Sequence, residues 1–215
     1  MTNLLVLPGV NAAEHLESEA AAFSQMVEKN LALFYSHEPC IIVGRYNKLS
    51  DWVNEKAALS DMIPIIRRFS GGGTVYHDLD TLCYSYIVPR STYENKRCGV
   101  RPMDYFRKIV ISGLNTIGIR LTQSRLSDLS LNGRKVSGNA ARITKSAVLF
   151  HGTLLLKVDY AALERYLPSP PDRPKIPHRH FVTSLQNEGI EVEVTSVITA
   201  LAEALERELT AEMAF

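Results

Sequence analysis

Three consecutive glycines, Gly71-Gly72-Gly73, constrain this chain more than any other stretch. They follow the apolar run Ile63-Pro64-Ile65-Ile66 and the pair Arg67-Arg68, then Phe69-Ser70. After them come Thr74-Val75-Tyr76-His77-Asp78 and a segment to Ile87 in which apolar residues mostly alternate with small polar ones. A segment without Cβ atoms contributes little to packing, but its N–H groups can approach a ligand closely and φ > 0 becomes accessible. The two arginines before it and His77 after it set positive charge and a polar tip where the backbone is barest. That combination suits a phosphate-bearing ligand. A glycine-bearing hairpin turn with surface arginines is the competing reading of the same residues.

The 215 residues suffice for one domain with a substantial core, expected to span 1–215. With 46% hydrophobic and 22% charged residues the composition is that of a globular protein. A net charge of +1 supplies no global attraction to nucleic acid or to an anionic membrane, and neither is expected as a partner. Cys40, Cys83 and Cys98 are odd in number and irregularly spaced, which argues against a disulfide framework or a zinc knuckle and for a reducing compartment. The N-terminus has no basic leader and no spanning apolar segment, so a cytoplasmic location is expected.

Along the chain, Leu4–Leu7 reads as a short strand ended by Pro8-Gly9, and Asn11 as the cap of a helix from Ala12 to about Lys29. Leu31–Tyr35 and Cys40–Gly44 read as paired strands joined by a tight turn at Ser36-His37-Glu38-Pro39. Arg45, beside Gly44 and Tyr46, is placed to reach a ligand over the sheet edge. A helix is expected over Trp52–Leu59, strands at Ile63–Ile66 and Leu82–Val88, and a core-facing helix from Met103 to about Ile117. Asn132-Gly133 is a strong hairpin signal that sets Lys135 just past the turn, beside the small residues Ser137-Gly138-Asn139-Ala140. His151-Gly152-Thr153 opens onto Leu154-Leu155-Leu156 on the next strand. Pro168–Pro177 reads as an extended loop, Thr183 as the start of a short helix, and Thr195 as the cap of a terminal helix to Leu209.

Missing parts set aside several enzyme classes: there is no P-loop, no G-x-S-x-G elbow, no H-E-x-x-H helix and no G-x-G-x-x-G fingerprint. Three stretches together resemble the lipoate-protein ligases of the biotin and lipoate ligase superfamily. Arg67 to Asp78 is similar to the family's R-R-x-S-G-G-G-x-V-x-H-D loop, Gly133 to Ala140 to its G-[RK]-K-[IV]-S-G-x-A segment, and His151 to Leu155 to its H-G-T-L-L strand. Asn11-Ala12-Ala13-Glu14, Gly44-Arg45-Tyr46-Asn47 and Ser127-Asp128-Leu129 are weaker likenesses.

The resemblance implies an α+β fold with a mixed, largely antiparallel sheet flanked by helices. It also implies a two-step reaction: a lipoate or octanoate carboxylate attacks the α-phosphate of ATP, assisted by Mg²⁺, and the acyl group of the resulting acyl-AMP passes to a lysine of an acceptor lipoyl-domain protein. Bringing two anions together requires cations and backbone donors aimed at the developing charge. Lys135 is expected in the catalytic role, with Ser70, Gly71, Gly72, Gly73, Val75 and His77 along the acyl and phosphate channel and Arg67 or Arg68 supporting the phosphates. Arg45, Asp128, Ser137, Gly138, Ala140, His151, Gly152 and Thr153 complete the expected binding residues.

The likeness is to a short form without the family's C-terminal accessory domain, which leaves room for a separate accessory subunit or for transfer from preformed lipoyl-AMP alone. Asp78-Leu79-Asp80-Thr81-Leu82 stands where the family carries glycine and asparagine. Alternatives are an octanoyltransferase working through Cys83 or Cys98, a biotin ligase, and a non-catalytic module that binds a lipoyl domain.

Overall fold

The computed structural model describes residues 2–25, 29–96, 99–125, 127–169 and 176–211. Strand β1 (Asn3–Val10) leads to helix α1 (Ala12–Ser24), which Asn11 caps as expected, its side chain accepting from the Ala13 and Glu14 N–H groups at 2.9 and 3.3 Å. Strands β2 (Leu31–His37) and β3 (Cys40–Val43) follow, then two short helices, α2 (Leu49–Trp52) and α3 (Glu55–Ser60). Strand β4 (Ile65–Arg67) delivers the chain to the glycine loop, and β5 (Val75–His77) and β6 (Thr81–Pro89) carry it away. Helices α4 (Arg90–Lys96) and α5 (Pro102–Thr116) precede strands β7 (Thr122–Ser124), β8 (Asp128–Leu131), β9 (Arg134–Ile143) and β10 (Ala147–Leu155). Helices α6 (Tyr160–Tyr166) and α7 (Val194–Thr210) come last.

The strands form two sheets, one of seven in the order β1-β2-β6-β10-β9-β8-β7 and one of three in the order β4-β3-β5. In the large sheet only the β1–β2 pair is parallel, so the expected mixed, largely antiparallel α+β architecture is the one that forms. Strand β6 lies near its centre, buried over almost its whole length. Helices α5 and α7 cover one face, packing Phe106, Leu114, Val197 and Leu201 onto Tyr86 and Phe150. They approach so closely that a Cβ on Gly113 would stand 2.7 Å from the Ala200 carbonyl oxygen. Among the described residues no helix is long and apolar enough to cross a membrane.

Five local expectations are corrected. Strands β2 and β3 are not paired: β2 lies between β1 and β6, and β3 between β4 and β5. Glu38-Pro39 supplies no residue at φ > 0, which the tight hairpin turns need, so the chain passes from one sheet to the other. Strand β1 continues through Pro8-Gly9 to Val10 with a register shift after Leu7, a position where an edge strand tolerates proline. The helix expected at Trp52–Leu59 is broken at the extended Val53, and Asn54 restarts it by accepting from the Ala57 N–H at 3.3 Å. Helix α7 starts at Val194, so Thr195 lies inside it, and Thr183 opens no helix. Much of the proline-rich loop, 170–175, and Cys98 lie outside the described residues.

Candidate active site

The two sheets diverge around a cleft of about 310 Å³. That volume is at the lower end of the range for small-molecule sites. The lysine hairpin forms one wall. Asn132 (φ 50°) and Gly133 (φ 80°) both take the left-handed conformation that the two-residue turn between β8 and β9 demands. Just beyond it the pairing slips: Leu129 faces Ser137 but Ser130 faces Lys135, leaving Val136 as the extra residue of a bulge. A bulge re-aims the side chains beside it. Val136 enters the core, and the Lys135 ammonium sits 2.9 Å from a carboxylate oxygen of the buried Asp128. Gly138 makes room for it, because a Cβ there would stand 2.9 Å from Nζ and 3.1 Å from Cε. The backbone of Lys135 is pinned as well: its N–H donates to the Phe181 carbonyl and its carbonyl accepts from the Thr183 N–H, both at 2.8 Å.

The glycine loop forms the facing wall, and Arg68 holds it from within. The Arg68 guanidinium donates to Gly71 O and Gly73 O, each at 2.7 Å from Nη2, and to Ser70 Oγ at 3.1 Å from Nε. Burial pushes its pKa down to about 10, against the opposing pull of Glu19 and Tyr35. Arg67 lies more exposed and donates to the carbonyls of Gly44, Arg45 and Asn47 at 2.9, 3.2 and 2.9 Å. Gly44 has to be bare, since a Cβ there would come within 2.2 Å of Gly72 O. Gly72 (φ 92°) lies against β9: its Cβ would be 3.3 Å from that of Ala140. Gly73 rests on the Trp52 ring, and Gly73 and Lys135 line the same cleft.

Behind the loop runs a buried polar chain. Ser70 Oγ and His151 Nε2 are 2.7 Å apart, and His151 Nδ1 lies 3.2 Å from both oxygens of Glu19. The Ser85 hydroxyl donates to Glu19 and lies 3.1 Å from the Tyr35 hydroxyl. Burial alone would raise the Glu19 carboxyl, but His151 and the Ser85 hydroxyl hold it below its usual value. A second chain joins the strands of the lysine wall. The Tyr84 hydroxyl donates to Asn139 Oδ1 at 2.6 Å, and Asn139 Nδ2 donates to Ser127 O at 2.9 Å. Gly152 must lack a side chain for this, its Cβ falling 2.2 Å from Asn139 Oδ1.

Of the residues expected from sequence, Arg68, Gly73, Val75, His77, Asp128, Lys135, Gly138, Ala140, His151, Gly152 and Thr153 line the cleft. Ser70 and Ser137 are buried behind that surface, Gly71 and Gly72 do not line the cleft, and Arg67 braces the neighbouring turn through the carbonyls of Gly44, Arg45 and Asn47. Arg45 is exposed, its guanidinium 5.5 Å from the Tyr46 ring centroid, and does not line the cleft. Cys83 does line it, but it is buried and its thiol is pushed well up by burial, the reverse of what a nucleophilic thiolate needs. Sequence reasoning passed over Glu19, His37, Asn139 and the 178–182 segment. Glu19 was open to detection, since it shares the inward face of α1 with Leu16 and Phe23, where a carboxylate is out of place.

The family model for the lipoyl protein ligase A/B catalytic domain matches residues 11–206. This chain belongs to that family. A probable lipoate-protein ligase A of Mycoplasma pneumoniae is 34% identical over 163 residues, which are 75% of this chain and 46% of that protein. The matched stretch thus spans less than half the length of the curated relatives. Among solved structures, that of a bipartite lipoate protein ligase from Thermoplasma acidophilum, described with its E2 lipoyl domain, superposes with a TM-score of 0.83 at 25% identity, covering 98% of this chain and 84% of that one. A lipoate-protein ligase A bound with ATP shares the fold, with a TM-score of 0.80 at 23% identity over 97% of this chain and 86% of that one.

Proposed function

We propose that this chain activates lipoate or octanoate with ATP, forming acyl-AMP and pyrophosphate, and passes the acyl group to a lysine of a lipoyl-domain protein. The observation that carries this reading is the Lys135 ammonium, held 2.9 Å from Asp128 on one wall of a cleft that Gly73, the last of the three consecutive glycines, also lines. When a carboxylate approaches an α-phosphate, two anions must meet, and the cost falls if a fixed cation touches both. Lys135 fills that role, drawing the acid's oxygen and a phosphate oxygen together and stabilising the charge that builds on phosphorus. Its bulged backbone, tied to Phe181 and Thr183, fixes where that charge sits. The apolar lining from Leu16, Ile42 and Trp52 gives the acyl chain a dry lodging.

Mg²⁺ suits the donor set in the sparing way usual for that ion, one or two carboxylates plus substrate phosphates. Asp128 is the carboxylate of the cleft lining that would hold it, and the ion would neutralise phosphate charge. The acceptor follows from the lipoyl domain described with the Thermoplasma ligase, and that ligase's bipartite make-up extends the proposal to a second polypeptide working with this one. The buried, protonated Cys83 disfavours a thioester route.

The test is ATP–pyrophosphate exchange with lipoate, followed by weighing of a lipoyl-domain acceptor by mass spectrometry. Lys135→Ala is expected to cut exchange by about 10²–10³-fold, the usual loss for one transition-state donor, while the circular dichroism spectrum stays native. Wild-type exchange rates in that variant would sink the assignment.

A further inference from the structure

In the lining of the cleft three side chains with soft donor atoms converge. His37 ends β2, His77 ends β5 and Cys83 lies on β6, so the group forms where the two sheets separate. The two Nδ1 atoms are 3.1 Å apart, and Cys83 Sγ is 3.6 Å from that of His77. All three donor atoms fall within 4.8 Å of one another, and all three residues line the cleft. A tetrahedral Zn²⁺ with Zn–N of about 2.0–2.1 Å and Zn–S of about 2.3 Å places two ligating nitrogens about 3.3 Å apart and a nitrogen and sulfur about 3.6 Å apart. The observed spacings match both.

We propose that His37, His77 and Cys83 form a three-ligand site for a borderline-soft divalent cation of the zinc type, with its fourth position open to the cleft. Among the described residues the two Nδ1 atoms bond only to each other and to Cys83 Sγ, so for the two imidazoles an ion would replace contacts made within the cluster and break none to the rest of the protein. The donor set excludes a hard ion such as Mg²⁺ and favours zinc or its neighbours. Cys83 is protonated before the ion arrives, so binding forms an S–metal bond, breaks the S–H bond and sends one proton to solvent.

This site shares its cleft and His77 with the ligase reading, but its test reads metal rather than acyl transfer, so the two can fail separately. The untagged, metal-free chain is titrated with Co²⁺ as a spectroscopic probe and then with Zn²⁺. Expected are a near-ultraviolet thiolate-to-cobalt absorption saturating at one equivalent, its loss on adding one equivalent of Zn²⁺, and one proton released per ion. Cys83→Ser should abolish the absorption and Cys40→Ser should leave it. His37→Asn provides a second variant should Cys83→Ser not fold, and should weaken Zn²⁺ binding by about a hundredfold or more, since even an outer-shell partner is worth about 10–100-fold. Absence of the band in the wild type, its survival in Cys83→Ser, or unchanged Zn²⁺ affinity in His37→Asn would overturn the proposal and leave a hydrogen-bonded pair of imidazoles.

Discussion

On one side of the cleft Arg67 and Arg68 turn their guanidinium groups inward, onto carbonyl oxygens of the loops they support; on the other, Lys135 sends its ammonium into the cleft against a single carboxylate. The glycine wall is therefore a backbone surface stabilised by one buried cation, Arg68, with the exposed Arg67 bracing the neighbouring turn at Gly44, Arg45 and Asn47, and the β9 wall is a side-chain surface positioned by a backbone irregularity. The contrast separates two uses of positive charge that look alike in sequence. A planar guanidinium with several fixed donors is suited to gathering carbonyls, whereas a compact ammonium on a flexible stem suits a site whose ligands come and go.

Three substitutions put this contrast under strain, from the largest expected effect to the smallest. Gly138→Ala would add a Cβ 2.9 Å from the lysine nitrogen. The ammonium has to shift, and exchange should fall by about 10–100-fold, as small misplacements of a reacting group do, while the denaturation midpoint barely moves. A large loss of stability instead would mean that the lysine wall is structural like its counterpart. Arg68→Met should show the opposite profile. It removes the donors to Gly71 O, Gly73 O and Ser70, and urea unfolding should report a loss of about 2 kcal/mol. If stability held and only the nucleotide KM rose, Arg68 would belong with the ligand-facing cations. Arg67→Ala, at an exposed position, should cost less than about 1 kcal/mol and alter exchange only slightly.

The parts of the site that were legible in the sequence are those where backbone geometry leaves few choices. Asn132-Gly133 had to be a two-residue turn, and the triple glycine had to be a bare loop, so both walls could be placed from residue types alone. What closes the cleft was not legible. Strands β2 and β3 are buried along nearly their full length, so neither shows an alternation that would tell which sheet it joins. The His37, His77 and Cys83 cluster depends on that divergence and vanishes from view when the two strands are read as a hairpin. The segment at Phe181–Thr183 that pins Lys135 has no periodicity, because it makes one isolated bridge instead of a strand. Asn139 looked like filler among small residues until Tyr84, 55 positions away, was seen bonded to it.

Strand β6 sets a timetable for this chain. Its register partners are Leu31–Tyr35 on one side and Ala147–Leu155 on the other, so the middle of the sheet joins residues from both ends of a span of more than a hundred. Pairings so distant in sequence are slow to form. On the ribosome, one edge of β6 finds its neighbour early, but the other stays open until residue 155 has emerged. For that interval a strand destined to be buried along almost its whole length is a sticky surface, and yield in the cell should depend on chaperones and on the rate of synthesis as much as on the stability of the finished fold.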